Sequence, residues 1–132
     1  MNPAALKQAE PAVVEKAIAA LHAKLGNKVV TSMEVRRQHA NTTTWLPNEA
    51  ADAVVYAAST EDVQDAVRIA AAHKVPVIAF GTGTSLEGHV NAPMGGICID
   101  VAGVNEILSV HAEDLDCGIQ PGVTRKKPHE YL

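Results

Sequence analysis

The sequence predicts an α+β fold with a small mixed sheet flanked by helices. Two patterns predict it. Residues 53–80 have the pattern strand, helix, strand with short links, which is typical of a βαβ unit with parallel strands. Residues 96–120 contain three further strand-like runs joined by short turns, which favours antiparallel neighbours. The 132 residues are enough for one small domain.

The N-terminal part, residues 1–40, is predicted to be a helical segment preceding the domain of residues 41–132. Pro11 suits a first helical turn and Gly26 suits a helix end. Between them, apolar residues recur at helical spacing, at Val14, Ile18, Leu21 and Leu25. A short strand is expected at 28–31, followed by a brief helix that Ser32 caps and that runs to Gln38.

The βαβ unit is predicted from local signals. The apolar run 53–57 indicates a strand, and Ser59 to Asp62 matches the capping-box pattern at the start of a helix. Pro76 blocks continuation of that helix, so a second strand is expected at 77–80.

The C-terminal part is predicted to contain strands at 96–101, 106–111 and 116–120. Thr124 could cap a final helix. Pro128 would then be its fourth residue, where proline removes a hydrogen bond and clashes with the preceding turn, which argues against that helix.

Composition narrows the class of partner. The net charge of -4 argues against nucleic acid, because phosphate binders need a basic face. No apolar run is long enough for a transmembrane span, and no secretory signal is visible.

Cys98 and Cys117 lie in apolar runs and are expected to be buried, reduced thiols of a cytoplasmic protein. Trp45 is expected to be a packing anchor in a loop.

The stretch FGTGTSLEGHVN, residues 80–91, interrupts the strands with a glycine-rich loop. A nucleotide-triphosphate loop would need lysine and a hydroxyl residue where His89 and Val90 stand. A dinucleotide loop of the Rossmann type would need a third glycine where Leu86 stands, and a helix after it. Residues 88–96 contain three glycines and a proline and are not expected to form that helix or a parallel crossover.

The remaining possibility is a loop whose own backbone holds an anion. Gly81 and Gly83 can adopt positive φ, so that consecutive N–H groups point inward. Thr82, Thr84 and Ser85 can add hydroxyl donors. With no basic residue between Lys74 and Arg125, this cradle would be neutral. Glu87 is expected to point outward or to bind a ribose or ring group.

Other chemistry is weakly indicated. His89, Cys98, His111 and Cys117 lack the spacing of a metal site. Ser85 lacks the second glycine of a hydrolase elbow. Asp100, at the end of a strand, is expected to accept a hydrogen bond within a turn.

The segments PVIAFGTGTSLEGHVNAPMGGICIDV and EDLDCGIQPGVTR resemble the flavin-binding domain of the vanillyl-alcohol oxidase and p-cresol methylhydroxylase (PCMH-type) superfamily, in its D-lactate dehydrogenase (cytochrome) and glycolate oxidase branch. The resemblance runs from about Trp45 to Thr124. It implies FAD as cofactor, with the pyrophosphate bound by loop amides. The implied cofactor-binding residues are Phe80, Gly81, Thr82, Gly83, Thr84, Ser85, Leu86, Gly88, His89, Pro121, Gly122 and Val123.

The resemblance covers only the first subdomain of that flavin-binding domain and lacks the substrate domain. It implies a truncated, FAD-binding part of a flavin oxidoreductase acting on a D-2-hydroxy acid, with no catalytic residue and no metal in this chain. A second chain could supply the missing half. The resemblance also leaves open a peripheral membrane association through an electron acceptor. The alternative function is a non-catalytic remnant, or a subunit whose cofactor-facing surface pairs with a protein partner.

Overall fold

The structure, a computed structural model, describes residues 8–131, with the side chain of Tyr131 excepted. Residues 1–7 of the predicted N-terminal segment lie outside the described residues. In chain order the elements are α1 (Pro11–Leu25), β1 (Val29–Val30), α2 (Met33–Gln38), β2 (Ala53–Tyr56), α3 (Thr60–Ala72), β3 (Val77–Phe80), β4 (Ile97–Asp100), β5 (Ile107–His111), β6 (Asp116–Ile119) and α4 (Lys126–Tyr131).

The predicted helix boundaries are confirmed where local chemistry sets them. Helix α1 begins at Pro11 and ends before Gly26, whose φ is 59°. The Ser32 Oγ accepts from the Val35 N–H at 3.4 Å and begins α2. The Ser59 Oγ accepts from the Asp62 N–H at 3.2 Å and begins α3. Capping side chains therefore start both helices.

The argument against the last helix was wrong. Helix α4 spans Lys126–Tyr131, so Pro128 is its third residue rather than its fourth. At the third position the backbone N–H has no partner within the helix in any case, so proline costs no hydrogen bond there. The Lys126 ammonium also lies 3.3 Å from the Glu130 carboxylate, one turn later.

The main sheet has four strands in the order β1-β2-β4-β3. Strand β4 lies between β2 and β3 and pairs with both in parallel. The predicted parallel direction of β2 and β3 is therefore right, although the two are not neighbours. The expectation that residues 88–96 rule out a parallel crossover was wrong, because the irregular segment 81–96 returns the chain to the other end of the sheet without a helix.

Strands β5 and β6 form a separate two-stranded antiparallel sheet. This pairing confirms the predicted hairpin. The predicted antiparallel pairing of β4 with β5 was wrong, because both edges of β4 are already occupied by β2 and β3. A strand has only two edges on which to hydrogen-bond, so β5 pairs with β6 alone.

Successive residues of the central strands point to opposite faces of the sheet and bury both. Ala53, Val55, Ile97 and Ile99 pack in one cluster with α1 and α3. Val54, Ile78 and Cys98 pack in a second cluster on the other face, against Val35 of α2. The near-continuous apolar composition of β2 and β4 is typical of parallel strands covered on both sides.

An ion pair ties the N-terminal segment to α3. The Lys28 ammonium lies 2.6 Å from the Asp62 carboxylate, which also accepts from the Ala58 N–H at 2.9 Å. Burial acts to raise the pKa of Asp62, but the bonds from Lys28, Ala58 and Ser59 outweigh it and hold that pKa below its ordinary value. Helix α1 and strand β1 pack in the same core as β2 and β4. The predicted domain boundary at residue 40 stays a prediction.

Two burial predictions were wrong. Cys98 is buried as expected, but Cys117 is exposed on the hairpin. Trp45 is 90% exposed and does not anchor the loop; the neighbouring Leu46 makes the contact with Gly88 instead. None of the helices in the described part of the chain has the length and hydrophobicity needed to cross a membrane.

Candidate cofactor-binding site

The glycine loop leaves the sheet at its carboxyl edge. Tyr56, Asp100 and Phe80 end the three parallel strands β2, β4 and β3 at the same level. The loop of residues 81–88 follows directly from β3, and the Val101 N–H donates to the Phe80 carbonyl at 3.0 Å, which closes the strand pair beneath it. Ligands of open parallel sheets bind outside this edge.

The two predicted glycine conformations differ. Gly83 has φ of 68°, as expected, and Gly88 has φ of 74°. Gly81 was expected to have positive φ but does not. It continues from β3 in a conformation open to any residue, so the chain turns later, at Gly83.

The loop leaves its hydrogen-bond donors open. Among residues 8–131, the backbone N–H groups of residues 81–86 donate to no protein acceptor, whereas the Glu87 N–H donates to the Ser85 Oγ at 3.3 Å. The Thr82 and Thr84 hydroxyls lie 3.0 Å apart on the exposed side. Open amides flanked by hydroxyls are suited to bind the oxygens of an anion.

Space for a side chain distinguishes the glycines. A Cβ on Gly83 would lie 2.9 Å from the Phe80 ring, and one on Gly88 would lie 2.8 Å from Leu46. A Cβ on Gly81 would meet no protein atom within 4 Å. Packing and backbone conformation therefore account for glycine at positions 83 and 88, whereas position 81 borders open space from which a ligand could approach the backbone closely.

A buried donor also lies beside this loop. Asn91 is 8% exposed, and its Nδ2 has no hydrogen-bond partner among the described residues. This nitrogen is 3.8 Å from the position that a Cβ on Gly88 would take. The Asn91 Oδ1 accepts from the Glu49 N–H at 3.3 Å, which sets the orientation of the amide. An unpaired buried donor of this kind has the capacity to bind one acceptor from water or from a ligand.

The second predicted binding segment, residues 121–123, shares a support with the loop. The Gly122 N–H donates to the Val104 carbonyl at 2.7 Å, and a Cβ on Gly122 would lie 2.5 Å from the Val101 oxygen. Val101 in turn bonds to Phe80. The turn after β4 thus holds both segments at the carboxyl edge. The other predicted positions Leu86 and His89 are exposed.

A buried cluster beneath the loop was missed by sequence reasoning. The His39 Nε2 lies 2.9 Å from the Asp100 Oδ2, and the His39 Nδ1 lies 2.9 Å from the Val35 carbonyl. The predicted role of Asp100 as a turn acceptor is confirmed, because its Oδ1 accepts from the Ala102 N–H at 2.8 Å. His39 and Asp100 are 61 residues apart in sequence, and no local pattern links them.

Neighbours of Asp100 are held in their neutral forms. Burial raises the pKa of the Cys98 thiol to about 12, and the Asp100 charge acts in the same direction. Burial, followed by the charge of Asp100, raises the pKa of Tyr56. A thiol with this pKa is a packing group rather than a nucleophile at neutral pH. Residues 8–131 contain no group of three or more histidine, cysteine or acidic side chains that could hold a metal ion.

A cavity of about 450 Å³ lies at the opposite, amino edge of the sheet. Its lining includes the acidic residues Glu15, Glu49 and Asp52. Arg36, also in the lining, is already engaged by the Ala51 carbonyl. These carboxylates would repel a phosphate group, so this cavity is a poor candidate for a nucleotide site.

Sequence comparison places the chain among flavoproteins. Residues 51–132 match a family described as FAD binding domain. A protein named probable D-lactate dehydrogenase, mitochondrial, from Danio rerio is 35% identical over 94% of this chain and 25% of its own length. A protein named D-lactate dehydrogenase [cytochrome], mitochondrial, from Arabidopsis thaliana is 38% identical over 61% of this chain and 14% of its own length. These relatives do not favour the alternative of a non-catalytic module.

The chain spans about a quarter or less of the length of these relatives. Both relatives carry the word mitochondrial in their names, so the expected cytoplasmic location stays an untested prediction.

Solved structures share the fold. A crystal structure of p-cresol methylhydroxylase with substrate bound superposes with a TM-score of 0.82 at 24% identity, over 92% of this chain and 25% of that one. A 4-ethylphenol oxidase from Gulosibacter chungangensis superposes with a TM-score of 0.80 at 25% identity. The predicted α+β fold of the PCMH type and the predicted cofactor are confirmed. The chain belongs to the FAD-binding domain family of PCMH-type flavoproteins, is homologous to D-lactate dehydrogenase-like members, and has FAD as its cofactor.

Proposed function

We propose that the loop of residues 81–88 binds the pyrophosphate of FAD through backbone N–H groups and the hydroxyls of Thr82, Thr84 and Ser85. The observation that carries this proposal is the row of unclaimed N–H groups at residues 81–86, at the carboxyl edge of a parallel sheet. We also propose that residues 121–123 contact the adenosine part of FAD. The turn of residues 101–104 supports this, because it bonds both to Gly122 and to Phe80 at the start of the loop.

Hydrogen bonds suffice for such a site without a lysine. A hydrogen bond to a charged oxygen is worth about 1.5–3 kcal/mol, so four or five of them would hold a diphosphate. The open space at Gly81 lets the phosphate approach the backbone. Asn91 Nδ2 offers one further donor at the Gly88 side of the loop.

We further propose that this chain is the cofactor-binding part of a flavin oxidoreductase that acts on a D-2-hydroxy acid. The names of the two dehydrogenase relatives support this substrate class. Bound FAD supplies the oxidising power for such a reaction, as an acceptor of two electrons. The residues of this chain bind and orient the cofactor; none of them is assigned acid–base chemistry. Because the described fold leaves the loop facing solvent, we expect the isolated chain to bind FAD weakly and not to oxidise D-lactate.

Substitution of Gly81 tests the pyrophosphate site. Gly81→Ala adds a methyl group into open space without a clash or a strained φ, so the free energy of unfolding should hardly change. The same methyl group would stand where the phosphate approaches, and FAD affinity should fall at least about tenfold, which corresponds to 1.4 kcal/mol. Flavin fluorescence titration measures the affinity, and thermal unfolding measures the stability.

Gly26→Ala is the matched control. Gly26 also has open space around it, but its φ of 59° strains any larger residue, and it lies at the end of α1. This variant should lose about 1 kcal/mol of stability and keep its FAD affinity. Unchanged FAD affinity in Gly81→Ala would refute the proposed site.

A further inference from the structure

The cluster beneath the loop has a defined geometry. Tyr56, Asp100 and Phe80 lie in one row across the ends of the parallel strands, on the sheet face that α2 covers. His39 follows α2 and lies over this row. Its ring centroid is 5.5 Å from that of Tyr56, at 79°, and 4.5 Å from that of Phe80, at 52°.

Hydrogen bonding fixes the orientation of the His39 ring. The Val35 carbonyl can only accept, so the His39 Nδ1 carries a proton and donates it. The His39 Nε2 faces the Asp100 Oδ2, so one further proton lies between these two atoms. The second Asp100 oxygen holds the Ala102 N–H. Every polar atom of the pair is therefore engaged.

The engaged and buried state of His39 excludes a reactive role. His39 is 7% exposed and Asp100 is 7% exposed. Neither ring nitrogen is open to a substrate, and the ring cannot rotate without breaking two hydrogen bonds. What remains for the pair is to hold its neighbours in place.

The pair reaches the loop through one aromatic side chain. The Phe80 ring packs on His39, and two of its atoms also lie 2.9 Å from the position that a Cβ on Gly83 would take. The Gly83 backbone is therefore in contact with the Phe80 ring. A continuous series of contacts runs from α2 through His39 and Phe80 to the turn of the glycine loop.

We propose that His39, held by Asp100 and Val35, is a positioning residue for the FAD-binding loop, so that the segment preceding the family match contributes to the cofactor site. This proposal rests on the pyrophosphate site proposed above. The family match begins at residue 51, and His39 lies outside it. His39 fixes the position of the Phe80 ring. The ring contacts Gly83 and so fixes the position of this turn in the loop, where the positive φ of Gly83 sets the directions of the neighbouring N–H groups.

The test compares His39→Leu with two control variants, one that lowers stability elsewhere in the fold and one that keeps the His39 ring in place. His39→Leu removes both hydrogen bonds and the aromatic stacking. Leu21→Ala removes a fully buried side chain from the cluster on the opposite sheet face, so it lowers stability without touching Phe80. Asp100→Asn is the conservative variant, because an asparagine amide can donate to a neutral His39 Nε2 and keep the ring in place.

Two readouts are taken under conditions in which all variants are folded. In the chain without ligand, the backbone amide NMR signals of Gly81 and Gly83 should move in His39→Leu and stay in place in Leu21→Ala. FAD affinity should fall at least about tenfold in His39→Leu, change less than about threefold in Asp100→Asn, and stay unchanged in Leu21→Ala. The ligand-free spectra decide the positioning role even if the isolated chain binds FAD too weakly to measure.

The outcomes separate this proposal from the one it rests on. If Gly81→Ala lowers FAD affinity while His39→Leu leaves both the affinity and the Gly83 signal unchanged, the positioning role is refuted and the pyrophosphate site stands. If the Gly83 signal moves equally in Leu21→Ala and His39→Leu, the effect is one of general stability and the positioning role is also refuted. If Gly81→Ala keeps full FAD affinity, both proposals fail.

Discussion

The two sheets of this domain contrast in how much of them is covered. In the four-stranded sheet, β2 and β4 are buried on both faces, by helices α1 and α3 on one side and by α2 and the returning loop on the other. In the β5–β6 hairpin, Leu108 is 64% exposed and Ile119 is 43% exposed. Leu115, in the turn between these strands, is 92% exposed.

This contrast shows which region can hold a binding loop in place by itself. A two-stranded hairpin is marginally stable alone in water, whereas the central strands of a parallel sheet are buried on both faces. The glycine loop starts from the covered sheet, and the segment 121–123 returns from the hairpin to the same edge through the Gly122 bond to Val104. The glycine loop therefore follows an edge strand of the covered sheet, in which Ile78 is buried and Val77 is 42% exposed, and the segment after the hairpin is tied to the same edge by one backbone bond.

The two cysteines give the largest expected difference, because one lies in each region. Cys98 is buried in β4 and its pKa is raised to about 12, whereas Cys117 is exposed in β6. A thiol-specific reagent at pH 8 should modify Cys117 rapidly. Cys98 should react only after global unfolding, which for a domain with a stability of about 5 kcal/mol or more means at least about a thousandfold more slowly.

Stopped-flow absorbance with the thiol reagent measures both rates, and Cys117→Ser should remove the fast phase alone. Comparable rates for the two thiols in the wild-type chain would show that the four-stranded sheet opens as readily as the hairpin, contrary to this comparison.

The two regions also contain contrasting ion pairs. Asp62, whose carboxylate bonds to Lys28 at 2.6 Å, is largely buried; Asp116, which lies 2.6 Å from His111, is exposed. Asp62→Asn should lower the free energy of unfolding by about 1–2 kcal/mol. This is less than the loss expected for a fully buried charged hydrogen bond, because solvent screens the partly exposed Lys28. Asp116→Asn should change stability by less than about 0.5 kcal/mol.

The pH dependence sharpens this second comparison. The pKa of Asp62 is lower in the folded than in the unfolded chain. The ion pair therefore stabilises the fold fully at pH values above the ordinary carboxyl pKa of about 4. This contribution to the free energy of unfolding is lost as the pH falls through the pKa of Asp62 in the folded chain. Urea unfolding of the wild type and Asp62→Asn at pH 7 and below pH 4 should show the difference between them shrinking in acid. A difference that stays constant across this range would contradict the assigned ion pair.

Local chemistry made much of the fold predictable. The bounds of α1 follow from Pro11 and Gly26, and the start of α3 follows from Ser59, because each signal acts within one helical turn. Strand order was not predictable in this way. Nothing near residues 97–100 indicates that β4 inserts between β2 and β3, since that choice depends on which edges are free when the sheet assembles.

The candidate site was predictable in composition but not in its support. The glycine loop and its open amides follow from a contiguous stretch of sequence. Gly81 was assigned the wrong conformation because sequence alone does not tell a glycine kept for backbone φ from one kept for space. The contacts of His39 with Asp100 and Phe80 join distant segments, so only the folded chain brings them together.

The most direct measurement is a backbone NMR titration of the chain with ADP, which carries the diphosphate, and with adenosine, which does not. The account predicts that ADP shifts the amide signals of residues 81–86 and that adenosine at the same concentration leaves them in place. Equal shifts with both compounds, or ADP shifts confined to residues outside the loop, would contradict the claim that these amides bind the diphosphate.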